Sequence, residues 1–201
     1  MTDKLAALLA KIKVLEHELL AEIQKKQTQF GYTIREKKVR FTAVVKAHNK
    51  KLAMKWARYI HESTFFSLLS APVIWSCLFP VLLMDVVCTF YQFFCFPIYG
   101  IPKVRRADYI VIDRHKLGYL NFFERLNCAY CGYVNGFLAY ATEIAGRTEQ
   151  YWCPIKHALH LKTTHSRYQK FFDYGDAEQY HQRLEQMRQD FEDLKKETDG
   201  Q

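Results

Sequence analysis

Four side chains in the second half of the chain have the types and spacing to hold a metal ion: Cys128 and Cys131, then Cys153 and His157. Two cysteines separated by two residues can share one ion because a tight turn aims both sulfurs inward, and the following Gly132 relieves strain in such a turn. Cys153 precedes Pro154, a favoured first-turn residue, which predicts a helix N-terminus there with His157 one turn further along. That placement lowers a thiol pKa and favours the metal-binding thiolate. The Cys₃His set suits zinc in tetrahedral geometry, with iron as the alternative metal. Other readings stay open. Cys128 and Cys131, three apart on one face of a helix, serve equally as packing thiols, or the pair works as a dithiol redox couple. His160 and His165 follow closely as substitute ligands.

Locally, C-x-x-C-G-Y followed by C-P resembles the paired knuckles of rubredoxin and zinc-ribbon proteins, with His157 where those families place a nearby cysteine. A second constellation is Glu143, Arg147 and Glu149 on a predicted helix from 137 to 151. Glu143 and Arg147 are spaced for an i,i+4 ion pair. With Glu124 and His157 they offer carboxylates and an imidazole to iron in a helical bundle, although the Glu-x-x-His spacing of such sites is absent. No phosphate-binding glycine loop, G-x-S-x-G elbow or H-E-x-x-H helix occurs, so an enzyme of a familiar motif-bearing class is not expected.

The elements that position these residues start with an apolar run. From Thr64 to Pro102 the only charged side chain is Asp85. Roughly twenty residues cross a hydrocarbon layer, and this run is about twice that. Arg35, Lys37, Lys38, Arg40, Lys46, Lys50, Lys51, Lys55 and Arg58 precede it, and Lys103, Arg105, Arg106, Arg114 and Lys116 follow. Basic residues beside membrane segments stay in the cytoplasm, so two basic flanks predict an even number of passes. The expectation is an apolar helical hairpin turning near Pro80 and Asp85, either two short spans or a re-entrant loop. Each limb of about seventeen residues reaches roughly 25 Å, marginal for a full span. The alternative is an unusually greasy helix pair in a soluble core. An acid inside a membrane suggests proton or cation handling, and at a hairpin apex it simply meets headgroups or water.

Two arms remain. Leu5, Leu8, Ile12, Leu15 and Leu19 form a short a/d seam, mirrored near the C-terminus by Tyr180, Leu184, Met187, Phe191 and Leu194 on a helix expected from 176 to 196. These seams pair with one another, with a second copy as a coiled coil, or pack as ordinary amphipathic helices. A basic helix is expected from 33 to 61, with Leu52, Met54, Trp56 and Tyr59 touching the membrane interface. Tyr109 to Asp113 reads as a short strand. The other cysteines, Cys77, Cys88 and Cys95, lie in the apolar run as small hydrophobes, and in a reducing cytoplasm structural disulfides are disfavoured. No signal peptide is visible, so the anchor itself is the insertion signal. The formal net charge of +8 clusters beside the apolar run, which favours anionic lipid over nucleic acid.

These observations predict a mainly α membrane-anchored protein in four parts: 1–61 amphipathic and basic helices, 62–102 membrane hairpin, 103–172 Cys/His domain, and 173–201 amphipathic helix. Both termini are expected in the cytoplasm, at a plasma or inner membrane. The expected function is a membrane-tethered, zinc-braced scaffold or assembly factor contacting another membrane protein or itself. The alternative is a redox or iron enzyme using the same cysteines on quinone or lipid.

Overall fold

The computed structural model describes residues 3–35 and 38–194. It is mainly helical and divides into two compact units: Met1–Glu62 with Asp113–Leu126, and Ser63–Ile112 with Asn127–Gln201. The division falls between Glu62 and Ser63. Residues 113–126, expected in the Cys/His part, group instead with the N-terminal arm.

In the first unit, helix α1 (Asp3–Gln29) ends at Gly31, whose φ of +62° is a left-handed value that glycine adopts without a Cβ penalty. The basic helix expected from 33 to 61 is replaced by three pieces. Strands β1 (Tyr32–Arg35) and β2 (Lys38–Phe41) pair antiparallel, Tyr32 opposite Phe41 and Ile34 opposite Val39. Helices α2 (Ala43–Lys51) and α3 (Trp56–Glu62) follow. The β-branched Thr33, Ile34 and Val39 prefer a pleated strand to a helix, which outweighs the helix propensity of the lysines between them. Of the first seam, Leu15 and Leu19 are exposed. The side chains of Leu5, Leu8, Ile12, Trp56 and Tyr59 lie outside the described residues, as does the C-terminal helix expected beyond 194.

The second unit is built on the apolar run. Helices α4 (Phe65–Ser76) and α5 (Leu78–Tyr99) are separated only by Cys77, itself in helical backbone, and together make one helix of 35 residues, Phe65–Tyr99, long and apolar enough to cross a membrane. The turn expected at Pro80 and Asp85 is not formed. A proline ring clashes with the carbonyl four residues back, so the effect of Pro80 falls at Ser76, the last residue of α4, just before the interruption at Cys77. Asp85 finds partners outside its helix and stays helical. At the far end Gly100 (φ +68°) closes a Schellman motif, with Ile101 N–H bonded to Phe96 C=O at 2.9 Å and both side chains in the core.

Residues 101–105 are irregular and lead into the single turn α6 (Arg106–Tyr109). The strand expected at 109–113 is absent: Tyr109 ends α6, and Tyr109 and Ile110 join the core as packed side chains. The helix expected from 137 to 151 is far longer, α7 (Phe122–Trp152). It starts in a capping box, Asn121 Oδ1 accepting from Glu124 N–H at 3.0 Å while Glu124 Oε2 accepts from Asn121 N–H at 2.8 Å. Helix α8 (Ala177–Gln189) is capped by Asp176 but stops short of the expected 196, because Asp190 leaves helical backbone (ψ 72°) where Gln150 and Arg167 take its carbonyl. The core is Phe96, Ile101, Val104, Phe137, Tyr140, Ile144 and Phe191, each large side chain contributing about 1.5–3 kcal/mol by leaving water.

Candidate functional site: a polar seam beneath an apolar helix

Within the second unit the two sides of α5 differ completely. Val81, Asp85, Cys88, Gln92 and Phe96, spaced by three and four, face inward. Phe79, Leu83, Val87, Phe90, Phe94 and Ile98 repeat with the same spacing on the opposite side and are exposed, Phe79 by 76% and Ile98 by 77%. The helix thus buries its acid and its amide and turns hydrocarbon outward.

Asp85, only 6% exposed, is gripped by both terminal nitrogens of Arg106, with Arg106 Nη2 to Asp85 Oδ2 at 2.6 Å. Tyr133 of α7 donates its hydroxyl to the same Oδ2 at 2.6 Å, and Thr89 reaches Oδ1 at 3.4 Å. The hydrogen bond to Asp85 holds the Arg106 guanidinium above its usual pKa. Burial pushes the Tyr133 phenol up, and donation to Asp85 adds to it. Two turns along, Gln92 treats Val104 as a neighbouring strand would: its Oε1 accepts from Val104 N–H at 2.9 Å and its Nε2 meets Val104 C=O at 3.5 Å, while donating also to the Tyr140 hydroxyl. The irregular backbone after α5 is therefore tied to α5 by a side chain rather than by a ladder.

A second polar network runs along the C-terminal half of α7. The expected Glu143–Arg147 pair forms, buried, at 2.8 Å, and Arg147 also donates to Pro102 C=O at 2.8 Å while Ser166 donates to Glu143 at 2.6 Å. Arg167, almost wholly buried, donates to Gln150 Oε1 at 2.6 Å and Asp190 C=O at 2.9 Å, and pairs with Asp193. Burial raises the Asp193 pKa, but hydrogen bonds from Arg167 and Lys170 outweigh it and hold the carboxyl at about 2. Gln150 Nε2 in turn satisfies Met187 C=O and Asp190 C=O, tying the end of α8 to α7. His165 sits at 3.0 Å from Glu149. Such paired and hydrogen-bonded groups orient helices.

The cysteines do not gather. α7 continues straight through Cys128 and Cys131, one turn apart on a helix, so no knuckle turn exists there, and Gly132 is an interior helix residue. Cys153 follows the end of α7, with its N–H bonded to Glu149 C=O at 2.8 Å, and Pro154 terminates that helix rather than opening another. Cys131 and Cys153 are 22 positions apart along one axis, roughly 33 Å. Zinc needs its sulfurs about 2.3 Å away, so this donor set does not fit one ion. Exposed His157 packs its ring on Tyr168 instead. The iron alternative fails likewise, because Glu124 caps α7 at one end and Glu149 holds His165 at the other. Among the described residues no group of three or more His, Cys, Asp or Glu could hold a metal.

The sequence reading missed the role of Arg106, Gln92, Tyr133, Tyr140 and Arg167. One signal was available: Asp85 and Gln92 are seven apart, two helical turns, and so lie on one face. Their partners come from distant segments and leave no trace in local spacing. No protein-family model, characterised protein or solved structure matches this chain.

Proposed function

We propose that this protein is a membrane-tethered scaffold or assembly factor, held on lipid by the outer face of α4 and α5 and presenting the rest of its surface to another membrane protein at the cytoplasmic side. The observation that carries the reading is the uncovered hydrocarbon face from Phe65 to Ile98. Six large outward side chains on α5 alone, left in water, forgo on the order of 10 kcal/mol, comparable with the whole stability of a domain. Lipid removes that cost. The basic residues on both sides of the run, from Arg35 to Arg58 and from Lys103 onward, suit an anionic cytoplasmic leaflet, each adding about 1 kcal/mol near the surface. A scaffolding role is favoured because the buried polar groups are spent on holding helices together.

Flotation tests the reading. The full chain, diluted from detergent onto vesicles of phosphatidylcholine and phosphatidylglycerol, is expected to float with the lipid, to resist high salt and to be released by detergent. A monodisperse chain that stays at the bottom of the gradient without detergent overturns it.

A further inference from the structure

We propose that α5 lies along the plane of a single lipid leaflet, its Phe79-to-Ile98 stripe among the acyl chains and its Asp85 and Gln92 side turned to the protein body, without crossing the bilayer. This rests on the membrane reading above and specifies its geometry.

Three features of the second unit point the same way. The first is where charge sits along the helix. Arg106 grips Asp85, and its side chain remains 45% exposed. The exposed Lys103 lays its ammonium 4.5 Å from the centre of the Phe93 ring. On an axis of roughly 33 Å starting at Leu78, Asp85 lies about 10 Å along and Phe93 about 22 Å along. A perpendicular α5 would fill the hydrocarbon layer of about 30 Å and place both cations inside it, at two depths. Each exposed charge near the centre costs about 2.5–3.5 kcal/mol even on the mildest scale.

The second is backbone. Residues 101–105 leave α5 without regular structure, and Val104 is met by Gln92 beside the middle of the helix. The residues on either side of Val104, Lys103 and Arg105, are exposed, so this stretch of chain carries its charges alongside α5 and not beyond its end. The third is the division of α5 itself: the polar Asp85 and Gln92 share the protein side with Phe96, while the opposite stripe carries hydrocarbon alone. An in-plane helix has this division, with cations at its shoulders reaching headgroup phosphates while their stems cover apolar surface. Lys103 over Phe93 has that placement, and it selects an anionic lipid surface as the occupant of the face.

Nitroxide depth measurements separate the two geometries. Leu83→Cys, Phe90→Cys and Ile98→Cys, each in a chain whose native cysteines are alanine, are spin-labelled and bound to phosphatidylcholine and phosphatidylglycerol vesicles. An in-plane helix places the three labels in one leaflet at depths within about 5 Å, as a helix parallel to the surface must. A progression of roughly 22 Å from residue 83 to 98 through the midplane, fifteen residues at 1.5 Å each, overturns the proposal and leaves the membrane reading intact. Failure of the wild-type chain to bind vesicles overturns both. A second label set at Leu82, Val86 and Phe94 guards against a single misfolded variant. Wild-type protein added to sealed vesicles gives an independent readout: an impermeant amine reagent is expected to modify Lys55 and Lys103 alike from outside. Modification of only one of them overturns the in-plane geometry.

Discussion

Helices α5 and α8 belong to the same unit and obey opposite rules. On α8 the apolar Met187 is buried and Leu184 and Tyr180 are partly buried, while Glu178, Gln182, Arg183 and Glu185 face out. On α5 an acid and an amide are inside and a phenylalanine stripe is outside. The hydrophobic effect sorts both, so under the membrane reading proposed above the difference lies in the medium each outer face meets: water beside α8, hydrocarbon beside α5. The contrast also shows that the buried side chains Asp85 and Gln92 of α5 need specific polar partners, whereas the buried side chain of α8, Met187, needs only shape, with the polar ties of that helix made through its C-terminal carbonyls and Arg188.

The contrast breaks most readily at Asp85. Asp85→Leu leaves Arg106 without its carboxylate and Tyr133 without its acceptor, and is expected to lower unfolding free energy in detergent by about 3 kcal/mol. The pair Asp85→Leu with Arg106→Leu should recover most of it, giving a large coupling in a double-mutant cycle. A single variant as stable as wild type would show that the inner face is held by something else. Outside, Phe90→Asp is expected to reduce vesicle partition about 1,000-fold, the lost transfer of one phenylalanine plus a charge. The matched change on α8, Gln182→Asp, should alter partition by less than about twofold. Equal effects on the two helices would erase the distinction between their surroundings.

Smaller tests address the helix that supports both. A Cβ on Gly136 would lie 2.8 Å from Tyr109 O and 2.9 Å from Ile110 Cα, backbone that cannot swing aside. Gly136→Ala is therefore expected to destabilise by about 2 kcal/mol despite its better helix propensity, as read by thermal unfolding. Near α8, Asp193 has a folded pKa of about 2, below its ordinary value, so its contribution is present above about pH 4 and is lost as pH falls toward 2. Because its side chain is 45% exposed, screening limits the contribution to about 1 kcal/mol. Asp193→Asn should flatten the acid limb of the stability curve by that amount, and an unchanged limb would remove Asp193 from the network. Last, Cys131→Ser and Cys153→Ser should each shift stability by less than about 0.5 kcal/mol, as exposed thiols without shared ligands do. A loss of several kcal/mol in either would restore a common site for them.

How much was legible follows from the range of each signal. The apolar run, the long helices and the Glu143–Arg147 pair depend on neighbours within four residues, and such spacing survives in a sequence. The Asn121-Phe122-Phe123-Glu124 box was equally local, and reading it would have started α7 some fifteen residues earlier and placed Cys128 and Cys131 inside a helix. The basic helix from 33 to 61 failed because β-branched residues and Gly31 compete with lysine propensity on the same scale, about 1 kcal/mol, leaving pairing across the hairpin to decide.

By itself the sequence determined that this chain carries a hydrocarbon segment with one acid, basic flanks and mainly helical arms, because composition and periodicity fix those properties locally. Tertiary structure alone decided that the acid is paired with Arg106, that the segment is a helix interrupted at Cys77 rather than a hairpin turned at Asp85, and that the cysteines stand too far apart to share an ion. The physical reason is common to all three. A buried charge accepts any distant partner with the right geometry, and a helix sets ligand separation by its length, so neither outcome is written in the spacing of adjacent residues.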